Sequence, residues 1–193
     1  MRLQPYACIW VNLVILCLIQ NQGNNALSSS ESNHETTKRP IEVERKFLVG
    51  ALPPNLTSYE HQSIRQGYLI ISDDGSEARV RDRAGSFTMT VKSKGTLSRG
   101  EWEIVIDSSQ FETLWPATDG KRVEKTRYTI PNGSNQIELD VYEGNLTGLI
   151  TAEVEFPDEA SAHAFEVPEW FAIDVTAEQG FKNQSLALHG LPA

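Results

Sequence analysis

The sequence predicts a mainly β fold of the α+β kind: about eight antiparallel strands with a few flanking helices. Three observations predict it. Apolar and charged residues alternate with a period of two in one segment after another. Turn signals rich in Gly, Asn and Asp separate those segments by short links, which favours antiparallel neighbours. Helical character is confined to three short pieces.

The first strand lies in "RPIEVERKFLV". It puts Glu42, Glu44 and Lys46 at every second position, with Ile41, Val43 and Phe47 on the other face. "RQGYLII" supplies a second strand. "EARVRDR" sets Arg79 and Arg81 opposite Ala78 and Val80. "FTMTVKSKG" sets Thr88, Thr90, Lys92 and Lys94 opposite Phe87, Met89 and Val91. In "EWEIVI", Glu101 and Glu103 oppose Trp102, Ile104 and Ile106. "VEKTRYTI" gives Lys125 and Arg127 one side, and Thr126, Tyr128 and Ile130 the other. "QIELDVY" sets Glu138 and Asp140 against Ile137, Leu139 and Val141. "TAEVEF" sets Glu153 and Glu155 against Ala152, Val154 and Phe156. "SDDGSE", "RAGS", "SKGTLSRG", "IPNGSNQ" and "YEGNLTG" are the turns. The helical pieces are "SSQFETLWPA" after Asp107, "DEASAHAF" after Pro157, and the tail "NQSLALHG".

A chain of 193 residues suits one domain, placed at 41–193. Residues 1–40 stand apart. An apolar run from Tyr6 to Ile19, broken by Asn12, follows a single early Arg. It is short for a membrane span and fits the length of a signal-peptide core. The polar stretch after it is a linker. Secretion or membrane targeting is one reading of this leader; a different targeting segment or an upstream start is the other. Cys8 and Cys17 both fall within it, so the domain has no thiol chemistry. The sequons at Asn55, Asn132, Asn145 and Asn183 matter only in a glycosylating pathway. The formal charge of -9 does not suit a general nucleic-acid binder, though it allows a local basic pocket.

Seven strands place fifteen charges on one face, as acidic pairs and basic pairs. Like charges at this spacing repel, so each pair must face the opposite sign, water or a bound ion. Two geometries satisfy this. The charged face is the wet side of an open sheet, or the sheet closes and the charges line its interior. Closure would leave the apolar face to be covered from outside by the helices, Trp102, Trp115, Phe165 and Trp170. A membrane pore does not fit, because Arg45, Ser93 and Glu124 would face lipid.

The basic residues Lys46, Arg79, Arg81, Lys92, Lys94, Lys125 and Arg127 match several phosphates in a row. The carboxylates cannot face phosphate directly. They suit a hard divalent cation, Mg²⁺ or Mn²⁺, that bridges to it. The four histidines are scattered, which excludes a zinc cluster, and no Gly-rich phosphate loop follows a strand.

"IEVERKFLV", with its ExExK pattern, resembles the opening strand of the CYTH domain family, the triphosphate tunnel metalloenzymes. "IRQGYL", "EARVR", "TVKSKG", "GEWEIVI", "VEKTRY", "IELDVYEGNLTGLITAEVEF" and "PEWFAIDVT" resemble its successive blocks in order, over roughly 41–190. The likeness is greatest to small bacterial-type members, the inorganic triphosphatase-like ones. The resemblance implies a closed eight-stranded antiparallel barrel, the triphosphate tunnel, that hydrolyses the terminal phosphoanhydride of a triphosphate with a metal. It implies metal ligation by Glu42, Glu44, Glu153 and Glu155, with Asp140 among further acidic positions that hold a second metal or position water. It implies phosphate binding by Lys46, Arg79, Arg81, Lys92, Lys125 and Arg127; Lys94 joins them by its place on the same face. One departure stands near the end: Glu178, Gln179 and Gly180 occupy places where a basic residue is common, with Lys182 nearby.

In-line attack by water on the terminal phosphoryl group follows, and the water needs an acceptor. Glu101, Glu103, Glu138 and Lys46 are the candidates. Other uses of the same lining are a class IV type adenylate cyclase, a thiamine triphosphatase, or a non-catalytic module that binds polyphosphate or an organic anion. The expected partner is a small polyphosphate or a nucleoside or organic triphosphate, without nucleic acid. The resemblance favours the cytosol, where triphosphates are made.

Overall fold

The alternating segments form one antiparallel sheet. The structure, a computed structural model, describes residues 43–93 and 101–192, within the second of the two units into which the chain divides, Pro40–Ala193. The expected leader, Glu42, Lys94 and most of the "SKGTLSRG" link lie outside the described residues, as does the side chain of Glu101. The strands are β1 Val43–Val49, β2 Glu60–Ile71, β3 Glu77–Arg83, β4 Ser86–Lys92, β5 Glu101–Val105, β6 Arg122–Asn132, β7 Asn135–Tyr142, β8 Ile150–Phe156 and β9 Phe171–Asp174. Their order is β5-β4-β3-β2-β6-β7-β8-β1-β9.

This corrects the expected eight-stranded closure. A ninth strand, from "PEWFAIDVT", occupies the outer edge of β1, with Phe47 opposite Asp174 and Val49 opposite Phe171. That edge is the one β5 would need to complete a ring. Among the described residues the ladder therefore ends on β5 and β9, which do not pair with each other.

Tight hairpins hold the register that keeps the charges on one face. Between β3 and β4 the turn is Ala84-Gly85, with φ of 49° and 88°. Two successive positive φ values match the right-handed twist of the flanking strands. The Asp82 carboxylate accepts the Gly85 N–H at 2.9 Å and braces the turn.

Two of the three expected helices cover the apolar face, and the tail helix does not. α1 (Ser108–Leu114) starts at a capping box, in which Asp107 and Gln110 each accept the other's backbone N–H. Its Phe111 is fully buried beside Val80, Phe87 and Trp115, a burial that contributes about 1.5–3 kcal/mol. α2 (Glu159–Ala164) is capped by Asp158, which accepts the Ser161 N–H. Its Ala162 joins Phe47, Leu139, Val154, Phe156 and Phe171, with Phe165 and Trp170 packed against them. Trp102 does not share in this covering. It is 62% exposed, because it sits on edge strand β5 and α1 packs on β3 and β4. α3 (Asn183–His189) goes to the other face: Leu186 and Ala187 pack on Tyr68, Val123 and Tyr142. No helix among the described residues is long and apolar enough to cross a membrane.

β2 meets the turn after α1 at Gly67. A Cβ there would lie 2.4 Å from Thr118 Oγ1. Thr118 is wholly buried and tied to Trp115 and Arg122, so it has no room to withdraw. Gly67→Ala should cost about 1–3 kcal/mol through overpacking, measured as a lower urea midpoint with an unchanged m-value.

Candidate active site

The charged face lines a cavity of about 430 Å³. Its wall includes side chains of β1, β2, β3, β4, β6, β7 and β8, so the sheet curls around it. Of the sequence-predicted residues, Glu44, Lys46, Arg79, Arg81, Lys92, Lys125, Arg127, Glu138, Glu153 and Glu155 come together there. Glu103 and Asp140 do not line it.

Strand register sets cations among the carboxylates. Arg127 on β6 stands opposite Asp140 on β7. Glu138 on β7 stands opposite Glu153 on β8, and Glu153 opposite Lys46 on β1. The Arg127 guanidinium grips Asp140 at two points: Nε donates to Oδ1 and Nη2 to Oδ2, both at 2.7 Å. Nη2 also donates to Glu153 at 3.0 Å, and Nη1 bonds Glu138. Lys46 Nζ lies 2.9 Å from the other Glu153 oxygen. Burial works against the charge on Arg127, but these carboxylates outweigh it and hold the guanidinium more firmly protonated than usual. Burial likewise opposes ionised Glu153, and Lys46 and Lys125 overcome it, so its carboxyl titrates below the ordinary range.

Asp140 lies behind the wall. It is fully buried, and both oxygens are engaged, with Lys125 Nζ at 2.5 Å as a third donor contact. Burial favours its neutral form, but Lys125 and then the Arg127 hydrogen bonds prevail and lower its pKa. A carboxylate so placed has no free face for a metal in the cavity. Its geometry is that of an anchor for two cations.

Glu103 stands at the margin on edge strand β5. It accepts from Thr90 Oγ1 at 2.9 Å and Arg81 Nη2 at 3.3 Å. Arg81 is drawn below its ordinary pKa, by burial first and then by the charge of Arg79. An anion between these two guanidinium groups would relieve that crowding.

Glu44 and Glu155 stand directly opposite on β1 and β8, and both line the cavity. Two carboxylates facing across a ladder are placed to share a cation. Their hard oxygens fit a divalent metal by type. Among the described residues no three acidic, His or Cys side chains are gathered closely enough to hold a metal alone. The pair fits a metal that takes further oxygens from its substrate or from water.

Sequence reasoning missed part of the wall. Gln66, Tyr68 and Glu77 line it, as do Thr176, Glu178, Phe181, Lys182, Asn183 and Gln184 of the tail. Glu77 was visible as the residue two before Arg79 on the same strand face. The tail gave no periodic signal. It is tied on by the Lys46 N–H, which donates to Thr176 Oγ1 at 2.9 Å, and by Tyr142 Oη, which donates to Asn183 at 3.0 Å. The tail therefore packs into the cavity despite its departure in charge.

Comparison with known proteins gives a consistent set. The family model of the CYTH domain matches residues 40–187. An inorganic triphosphatase of Nitrosomonas europaea is 49% identical over 149 residues, covering 76% of this chain and 97% of that protein. An inorganic triphosphatase of Acetivibrio thermocellus is 32% identical over 151 residues, covering 75% and 92%. The crystal structure of an inorganic triphosphatase superposes with a TM-score of 0.66 at 44% identity, covering 78% of this chain and 97% of the other.

The buried anchor has a measurable signature. Asp140→Asn would leave Lys125 and Arg127 undercompensated and should cost about 3–5 kcal/mol. The carboxyl is depressed in the folded state. Its contribution is thus full above the unfolded value of about 3.9 and disappears as pH falls through the lower folded value. Urea unfolding between pH 7 and pH 3 should show a steeper acid loss for the parent than for Asp140→Asn.

Proposed function

The chain belongs to the CYTH domain family, and from that membership and the lined cavity we propose that it hydrolyses the terminal phosphoanhydride of inorganic triphosphate. The observation that carries this reading is the cavity wall itself: cations and carboxylates of opposite strands, with a crowded guanidinium pair at one side and a facing carboxylate pair at another. A short linear polyanion with no organic part needs only such a lining. We place the reaction in the cytosol, where triphosphates are made.

In this proposal the curled sheet serves as a tunnel with two sides. On the phosphate side, Arg79, Arg81 and Lys92 bind and orient the phosphoryl oxygens, and their fixed charges stabilise the charge that builds on the transferring group. On the metal side, Glu44 and Glu155 would hold a divalent cation, Mg²⁺ or Mn²⁺, with Glu42 as a further donor, while Glu153 keeps its oxygens on Lys46 and Arg127. When bound, that ion supplies Lewis-acid polarisation of a phosphate oxygen. Lys46, held by Glu153, aims its ammonium at the substrate between the two sides. Glu138 lines the cavity, whereas Glu103 is taken by Thr90 and Arg81 outside it. Of these two, Glu138, which bonds Arg127, is the carboxylate placed to orient the attacking water. Asp140 acts through Lys125 and Arg127.

The direct test is phosphate release by the purified chain from inorganic triphosphate, ATP, thiamine triphosphate and long-chain polyphosphate, with Mg²⁺ and with Mn²⁺. Inorganic triphosphate should give the highest kcat/KM. Cyclic AMP and pyrophosphate from ATP would point to a cyclase instead, and tight anion binding without turnover to a binding module.

The two sides should also separate by mutation. Glu155→Gln should lower activity at least about tenfold, with part of the rate restored by more metal. Arg81→Ala should lose a similar factor that extra metal does not restore. Activity against metal concentration, with circular dichroism for the fold, measures both. Identical metal dependence in the two variants and the parent would show that no such division exists.

A further inference from the structure

The block "IRQGYL" has no part in the reaction as proposed above, yet three of its side chains, Ile64, Gln66 and Tyr68, lie in the cavity wall. We propose that Tyr68, braced by Gln66, is a positioning residue that fixes the guanidinium of Arg79 on the phosphate side of the site. The role of Arg79 rests on the triphosphatase reading; the contact does not.

Register supplies the placement. Tyr68 on β2 is the cross-strand partner of Arg79 on β3, and Gln66 is the partner of Arg81. Tyr68 is 1% exposed and Gln66 4% exposed, so both work on their neighbours rather than on a ligand in the cavity. Gln66 Nε2 donates to Tyr68 Oη at 2.9 Å. That bond fixes the direction in which the hydroxyl can meet anything else. Register brings the Arg79 guanidinium alongside the same hydroxyl; a guanidinium can only donate, so in this proposal the phenol oxygen is its acceptor.

The other neighbour of Arg79 does not fix direction. Glu77 Oε1 lies 3.9 Å from Arg79 Nη1, too far for a hydrogen bond. It attracts Arg79 by charge, and charge alone allows rotation. The buried Arg79 Nε has no hydrogen-bond partner. Tyr68 thus supplies the directional hold that Glu77 lacks. Burial, followed by the charge of Glu77, pushes the phenol up to about 12, so it stays a neutral hydroxyl at working pH. Gly67 between the two lets β2 press against Thr118, which keeps this part of the strand from shifting.

A double-mutant cycle with inorganic triphosphate tests this, joined to side-chain NMR of ligand-free protein. Tyr68→Phe keeps the ring and removes the hydroxyl, and should lower kcat/KM by about tenfold. Arg79→Ala should lower it further. Tyr68→Phe added to Arg79→Ala should change little, because its partner is already gone. An equal loss in both backgrounds would overturn the proposal. In NMR, the Arg79 Nε–Hε signal, identified by its disappearance in Arg79→Ala, should report slow rotation of the guanidinium in the parent and fast rotation in Tyr68→Phe. Gln66→Leu should fall between. Rotation as fast in the parent as in Tyr68→Phe overturns the proposal whatever the activity. Ordering of Arg79 through Tyr68 in a parent that releases no phosphate would overturn the triphosphatase reading and uphold the positioning.

Discussion

Carboxylates on neighbouring strands cannot share a half-dry wall without a cation among them, and Arg127 is that cation here. It bonds Glu138 and Asp140 on β7 and Glu153 on β8. Those three carboxylates would otherwise repel across one ladder. The rest of the wall follows from this neutralisation. Asp140 sinks out of reach because two cations accept its charge. Glu153 remains ionised because Arg127 and Lys46 hold its two oxygens. The strands can then curl with the charges inward, since buried pairs tolerate a low dielectric only when every partner is satisfied.

The competition inside this network also bears on function. Arg127 spends most of its donors on protein carboxylates, so it has little left to offer a phosphate. Arg79 and Arg81 differ. Among the described residues, Arg81 bonds the half-exposed Glu103, and Arg79 has a distant charge contact with Glu77. Cations of one sheet therefore divide into those that build the wall and those left for a ligand. Their register partners decide which is which: acidic for Arg127, but Gln66, Tyr68 and Thr residues for the β3 pair.

Much of this was legible in the sequence. A period of two tells which face a residue occupies, so the strands and the inward charges could be read from alternation. The ordered resemblance added the family. Depth was not legible, because periodicity assigns a face and not a distance from solvent. Asp140 and Glu138 look alike in "QIELDVY", yet one is wholly buried and the other lines the cavity. Closure was not legible either. β9 is only four residues long, and nothing local in "FAID" announces that it takes the edge of β1. Gln66 and Tyr68 were hidden for a different reason: neutral polar residues in a strand look like ordinary packing until their cross-strand partners are known.

The pairing of β1 with β8 places the two ends of the domain side by side, with partners such as Lys46 and Glu153 over a hundred residues apart. During synthesis β1 leaves the ribosome long before β8 and β9. Phe47 must wait through that interval without the neighbours that bury it. Local hairpins such as β3–β4 and β6–β7 can close early, but the pairings of β1 with β8 and β9 close the longest loops of the sheet and are set to form late. The site is thus assembled by one of the final folding events, so a nascent or truncated chain would carry most of the sheet before it carries any complete centre.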